Sequence, residues 1–204
     1  MNTAATSNPS CTMTEAMLAR FQEGFERAKA AEVPEPTAMT LATVDEQGRP
    51  SARTMLLKGV DTEGFVFFTN LQSRKGHQLA GNPNVSLVFF WRETAEQVKV
   101  DGVAEPVTAE EADAYFASRP RGSQIGAWAS LQSQPLESRD IFDQRIAEFE
   151  ARYRDRDVPR PSHWSGFRVR PRRVEFWYGR QYRLHERIRY ELIDGDWRES
   201  LLYP

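Results

Sequence analysis

The sequence holds one cysteine, Cys11, among 204 residues. A single thiol excludes an intramolecular disulfide and any multi-cysteine zinc site, so the stapled framework of small secreted domains is absent. No stretch approaches the roughly 20 apolar residues that a membrane-crossing helix needs. The most apolar run, Val85 to Trp91, is short and is interrupted by Ser86. Neither sign of charge dominates: 27 Lys plus Arg stand against 29 Asp plus Glu, a formal net charge of −2. That balance argues against a protein built on accumulated positive charge for nucleic acid or anionic membrane. The opening segment MNTAATSNPSCTMTEAM has neither the basic start nor the apolar middle of a secretory signal. These absences predict a cytoplasmic protein with a flexible tail over residues 1–13 and one domain over residues 14–204.

The common catalytic fingerprints are missing too. There is no G-x-G-x-x-G after a strand, no G-x-x-x-x-G-K-[ST] loop, no H-E-x-x-H and no G-x-S-x-G elbow. The three histidines, His77, His163 and His185, lie far apart, and only Glu186 stands beside one of them, so no metal site is expected.

What is present is a strand-rich chain with a helical insertion. From Thr14, Met17, Phe21, Phe25 and Ala28 recur at three- and four-residue steps, the pattern of an amphipathic helix. AMTLATV, SARTMLLKGV, GFVFFTN, NVSLVFFW and EQVKVDGVAEPV read as strands, and DEQGRP and DTEG as hairpin turns, which predicts an antiparallel meander. SRKGHQLAGNP reads as a short helix ended by Gly81 and Pro83. Thr108 and Glu111 have capping-box spacing at the start of a helix that stops before Pro120. Further helices are expected over SQIGAWAS and LESRDIFDQRIAEFEARYRDR, followed by strands over FRVRP, RVEFWYG, RIRYELI and WRESLLY. The fold class predicted is α+β on an antiparallel, barrel-like sheet.

Four groups of anion-type ligands stand out. Arg53 and Lys58 bracket TMLL, and a five-residue step puts them on opposite faces of a regular strand, so they suit two anions better than one. Thr69, Ser73, Arg74 and Lys75 gather hydroxyls and cations at a helix start, which reads equally as a solvated surface or as an anion site. Tyr115 and Arg119 share a helix face with Ser123 shortly after, a set able to complement phosphate oxygens, or else an aromatic packed beside a surface arginine. Gln132 and Ser133 follow in what could be an ordinary loop. In an extended strand Arg183, His185 and Arg187 would share one face, a concentration of cationic groups that calls for an anionic or electron-rich ligand; Trp177 nearby is the kind of residue that usually sits in a core.

Five blocks in order then carry a resemblance: R-T-M-L-L-K-G, F-F-T-N-L-Q-S-R-K-G, Y-F-A-S-R-P-R-G-S-Q-I-G-A-W-A-S-L-Q-S, V-P-R-P-S-H-W-S-G-F-R-V and E-F-W-Y-G-R-Q-Y-R-L-H-E-R. From about Pro36 to Pro204 the chain resembles the pyridoxine (pyridoxamine) 5′-phosphate oxidase family. The resemblance implies an antiparallel FMN-binding split β-barrel with peripheral helices, working as a homodimer with FMN at the subunit interface. It implies oxidation of pyridoxine 5′-phosphate and pyridoxamine 5′-phosphate to pyridoxal 5′-phosphate, with O2 reduced to H2O2. The FMN contacts implied are Arg53, Thr54, Met55, Leu56, Leu57, Lys58, Phe68, Thr69, Arg74, Lys75, Gln97, Gln132, Ser133, Trp177 and Arg187. The substrate contacts implied are Lys58, Tyr115, Arg119 and Ser123 at its phosphate, with Arg183 and His185 as the catalytic pair facing its ring.

Three departures from the family pattern are visible. No Arg-x-x-Tyr-type lid segment precedes Arg20, Glu186 stands where Asp is usual, and Phe68 stands where Tyr is frequent. The Glu form resembles the phenazine-biosynthesis oxidases, so an FMN oxidase of that type is the alternative enzyme. A flavin- or pyridoxal-phosphate-binding protein without turnover is the alternative of another class.

Overall fold

The computed structural model describes residues 12–204. The elements follow from local sequence cues. Helix α1 (Glu15–Ala30) starts where the Thr14 side chain accepts the Met17 N–H, and it buries Met17, Phe21 and Ala28, the apolar stripe expected from the spacing. Strands β1 (Ala38–Val44) and β2 (Pro50–Leu56) form a hairpin whose turn is held by Asp45, which accepts the N–H groups of Gln47 and Arg49. Strands β3 (Gly59–Asp61) and β4 (Gly64–Asn70) make the second hairpin. Helix α2 (Arg74–Gly81), capped by Ser73, leads to β5 (Asn84–Trp91) and β6 (Glu96–Pro106). The helical insertion comprises α3 (Ala109–Ser118), α4 (Arg121–Ala129) and α5 (Arg139–Arg152). Strands β7 (Trp164–Tyr178), β8 (Glu186–Ile193) and β9 (Asp196–Leu201) close the chain.

The sheet is antiparallel throughout, but it is not the simple meander expected. Its order is β2-β1-β5-β6-β7-β4-β3, with β8 on β7 and β9 on β8. SARTMLLKGV, expected as one strand, is broken at Leu57–Lys58. The Leu57 N–H bonds to Thr37 O on the β1 side, whereas the Lys58 N–H bonds to Val66 O in β4. The chain thus turns a corner there, and β4 lies beside β7 instead of β5. FRVRP and RVEFWYG, expected as two strands, are one. The register with β6 shifts between Asp101 and Gly102, which pair with Arg173 and Pro171 and leave Arg172 of β7 as the extra residue, so the proline's missing N–H falls where the ladder is already irregular.

Two cores result. The barrel interior joins Phe65, Phe67, Leu87, Phe89 and Val100 to the buried face of α1, where Phe21 meets Phe65 and Phe89 edge-on. A second core, Phe116, Ile125, Ala129, Phe149 and Tyr153 with Trp164, holds α3, α4 and α5 together. The capping box at Thr108 and Glu111 forms as predicted. Helix α4 begins two residues before SQIGAWAS, at Arg121 after Pro120, and α5 occupies the middle of its expected segment. Of the predicted tail, residues 1–11 lie outside the described residues. Met13 is buried in the barrel core and its N–H bonds to Thr62 O, while Trp197 Nε1–H donates to Thr12 O.

Candidate active site

Between the barrel and the helical insertion lies a cavity of about 460 Å³. The corner at Leu57–Lys58 supplies one wall: Thr54, Met55 and Leu56 from β2, then Lys58. Thus Arg53 and Lys58 do part company, as the five-residue step requires, although a bend in the chain contributes as much as strand alternation. Leu57 itself turns inward and is buried in the barrel core. From β4 come Phe68 and Thr69, and from the insertion come Tyr115, Arg119, Ser123 and Gln132. Eleven of the residues singled out in the sequence therefore line one space although they span Thr54 to Gln132.

The cavity has two cationic poles. At one, Lys75 donates to Gln132 Oε1 at 2.8 Å and to Ser73 Oγ at 3.3 Å, both neutral acceptors. Burial, with the Arg53 charge nearby, pushes its amine down to about 8. Arg53 is not itself in the cavity wall; its guanidinium sits in a polar nest of Leu41 O, Thr43, Ser51 and Gln78, close enough to Lys75 to depress that amine, and burial and then Arg74 lower its own pKa. Arg74 and Ser133 are exposed, and Ser133 has a positive φ of 75°.

At the other pole Arg119 lies over the Trp164 ring, 4.8 Å from its centroid. Its Nη1 is buried without a hydrogen-bond partner, and burial lowers its pKa. A buried guanidinium nitrogen with no acceptor is costly to leave unmet, so it marks a place built for an anionic or electron-rich oxygen. Phe68, Tyr115 and Trp164 form a near-parallel stack on this side.

The remaining candidates lie together elsewhere. Gln97 on β6 faces Trp177 on β7, and Trp177 faces Arg187 on β8. His185 sits with its ring 4.6 Å from that of Trp177. The expectation that Arg183, His185 and Arg187 share a strand face is corrected. Residues Gln181–Arg183 form a short 3-10 turn, Tyr182 and Arg183 have φ of 56° and 64°, and β8 begins only at Glu186. The physical reason is that two successive left-handed residues reverse the chain and cannot sit in a ladder. Arg187 pairs with the buried Glu175 at 2.8 Å and donates to Tyr203 O, and Glu186 pairs with Arg180 at 2.9 Å.

Residues 25–153 match the pyridoxamine 5′-phosphate oxidase family, and residues 164–204 match the pyridoxine 5′-phosphate oxidase C-terminal dimerisation region. The chain belongs to the pyridoxamine 5′-phosphate oxidase family. Within it, the chain is 55% identical over 192 residues to the pyridoxine/pyridoxamine 5′-phosphate oxidase of Zymomonas mobilis, covering 94% of this chain and 100% of that one. It is 56% identical over 185 residues to the enzyme of the same name from Myxococcus xanthus, covering 91% and 90%. Among solved structures, PhzG from Burkholderia lata in complex with tetrahydrophenazine-1-carboxylic acid superposes with a TM-score of 0.87 at 32% identity, covering both chains fully. A pyridoxamine 5′-phosphate oxidase-related, FMN-binding protein from Nostoc punctiforme shares the split-barrel fold, with a TM-score of 0.75 at 16% identity over 94% of this chain and 100% of that one. Among the described residues no helix is long and apolar enough to cross a membrane.

Sequence reasoning missed Trp164, Asn70 and Ser130 in the cavity wall, and Gln78 behind it. The signal for Trp164 was its place in the block V-P-R-P-S-H-W; for Gln78 it was the three-residue step from Lys75 on one helix face.

Proposed function

We propose that this chain is a cytoplasmic, FMN-dependent homodimeric oxidase converting pyridoxine 5′-phosphate and pyridoxamine 5′-phosphate to pyridoxal 5′-phosphate. When bound, FMN supplies the two-electron acceptor, and O2 is the final oxidant, leaving as H2O2. The observation that carries this reading is the partnerless, buried Arg119 Nη1 in the same cavity as a second cation, Lys75. Two separate cationic poles suit a phosphorylated cofactor and a phosphorylated substrate side by side.

In this reading Arg53, Arg74, Lys75 and Thr69 hold the cofactor's phosphate, with Gln132 and Ser133 beside them. Thr54, Met55, Leu56 and Phe68 form the wall along the flavin, with Leu57 packed behind it in the barrel core. Lys58, Tyr115, Arg119 and Ser123 hold the substrate's phosphate. Gln97, Trp177 and Arg187, with Arg183 and His185, complete the site from the partner subunit. That assignment is supported by the absence of all five from the cavity wall of their own chain and by the dimerisation region over residues 164–204, which carries all but Gln97. Holding both phosphates fixes the reacting carbon of the substrate against the flavin ring, so the protein acts chiefly through position and charge.

A second reading, oxidation of a reduced phenazine-type ring, draws on the likeness to PhzG and on Glu186. Oxygen consumption by the purified, FMN-loaded protein decides among them. Turnover with pyridoxine 5′-phosphate and little with unphosphorylated pyridoxine supports the proposal. Turnover only with a dihydrophenazine substrate favours the second reading, and no turnover with either indicates a binding protein.

A further inference from the structure

Arg53 is held in an unusual way. Its Nη1 donates to Thr43 Oγ1 at 2.6 Å and Leu41 O at 3.1 Å, and its Nη2 donates to Ser51 Oγ at 2.5 Å. Both hydroxyls then donate onward to one atom, Gln78 Oε1, Thr43 at 2.7 Å and Ser51 at 2.8 Å. Nη2 also reaches that oxygen at 3.3 Å. A guanidinium can only donate, so the amide atom facing it must be the oxygen, which fixes the orientation of Gln78.

The consequence is a one-way relay. Each hydroxyl has a single proton, and spending it on Gln78 Oε1 leaves the lone pairs of Thr43 and Ser51 facing Arg53. Without the acceptor, either hydroxyl could rotate its proton toward the guanidinium and repel it. None of the acceptors around Arg53 is a carboxylate, so the relay orients the cation without cancelling its charge. The charge is felt at the cavity, since Arg53 is one of the two causes that depress the Lys75 amine. Gln78 is buried on α2, one helical turn beyond Lys75, and neither it nor its three partners is in the cavity wall, so its influence on the site runs through the placement of the Arg53 charge beside Lys75.

We infer that Gln78 is a positioning residue of the cofactor's phosphate site: it aims Arg53 through the Thr43 and Ser51 hydroxyls and, being neutral, leaves the cationic pole its full charge. The inference rests on the reading that Arg53 and Lys75 serve the phosphate of FMN.

The test compares binding of FMN with binding of riboflavin, which lacks the phosphate, by fluorescence titration of the full-length apoprotein. Three variants are used: Arg53→Ala, Gln78→Met and Gln78→Glu. Arg53→Ala should weaken FMN about ten- to hundredfold and leave riboflavin unchanged, as expected for loss of a charge-assisted contact. Gln78→Met should weaken FMN about tenfold with riboflavin again unchanged. Gln78→Glu keeps the acceptor but adds a negative charge. It should weaken FMN and move the decline of FMN affinity above neutral pH to higher pH, because Lys75 then holds its proton longer.

If Arg53→Ala affects both ligands equally or neither, the phosphate reading and this inference fail together. If Arg53→Ala discriminates but Gln78→Met does not, the positioning role alone is overturned. Should Gln78→Met fail to fold by circular dichroism, Gln78→Glu decides: wild-type FMN affinity with an unshifted pH profile overturns the inference.

Discussion

The rings of Phe68 and Tyr115 lie 4.0 Å apart between centroids and 15° from parallel, so that strand β4 and helix α3 meet through one stacked pair at the cavity wall. Trp164 adds a third ring, 5.3 Å from Phe68 and within 6° of parallel. All three rings pack in the helical core, Phe68 also against the small cluster of Val66, Val107 and Ala112, and Arg119 lies over Trp164.

Gly166 makes room for that stack. A Cβ at Gly166 would come 2.6 Å from Phe68 Cδ1 and 3.0 Å from Phe67 O, so Gly166→Ala must push the Phe68 ring out of line. The expected cost is about 1–3 kcal/mol of stability, or about 2–4 °C in Tm for each kcal/mol. KM for pyridoxine 5′-phosphate should rise more than the Kd for FMN, because the ring supports Tyr115. Thermal melts and steady-state kinetics on the same preparation check both.

Arg119→Ala should raise KM for pyridoxine 5′-phosphate by about one to two powers of ten, the value of a charge-assisted hydrogen bond of roughly 1.5–3 kcal/mol. FMN affinity should stay within about twofold, since the Lys75 pole is intact. Loss of FMN with an unchanged KM would mean that the two phosphate assignments are exchanged.

Lys75 makes FMN binding depend on pH. In the free protein its amine is lowered to about 8, first by burial and then by Arg53, and a bound phosphate raises it again. Binding above pH 8 therefore takes up a proton. Affinity should be level between pH 7 and 8 and then fall, by at most about tenfold per pH unit, until the bound-state pKa is passed. Lys75→Arg, which stays charged, should abolish the decline, and riboflavin binding should be flat in both proteins. A level FMN profile to pH 9.5 in the wild type would contradict the assignment.

If the Arg183 cluster completes the cavity of the partner subunit, two impaired variants should rescue each other when assayed at substrate concentrations well below their raised KM. A mixed dimer of Arg119→Ala and Arg183→Ala has one site with both defects and one with none. After co-refolding of equal amounts, half of the dimers are mixed, so about a quarter of wild-type activity should return. No recovery would place both residues in the same protomer's site.

His185 Nδ1 accepts the Arg180 backbone N–H at 3.2 Å, so the neutral ring carries its proton on Nε2 and presents a donor there. A group arranged in this way positions substrate better than it removes a proton. His185→Asn should keep much of kcat, whereas Arg183→Ala should lose substrate affinity and rate with FMN still bound. Stopped-flow reduction of the bound flavin tests this. Abolished reduction in His185→Asn with near-normal reduction in Arg183→Ala would make His185 the proton acceptor.

How far the sequence could be read depended on how local each feature is. The Thr108 cap, the α1 stripe and the hairpin turns are set by residues close together in the chain, and they stand where the pattern puts them. The family blocks likewise marked most of the cavity wall. The strand face proposed for Arg183, His185 and Arg187 failed because alternation assumes an extended chain, and the left-handed pair Tyr182–Arg183 breaks it. Gln78 went unnoticed because its three-residue step from Lys75 gains meaning only once its hydrogen-bond partners are known.

By itself, then, the sequence determined the elements, their caps and the chemical types available for binding anions, because these depend on short-range sterics and on side-chain identity. Only the tertiary structure decided that β4 lies against β7, that the chain turns at Leu57–Lys58, and that Lys75 and Arg119 form two poles of one cavity. Those outcomes depend on which surfaces are buried together. Burial is also what lowers the Lys75 amine and leaves Arg119 Nη1 without a partner, since both effects require that water be excluded by residues distant in the chain.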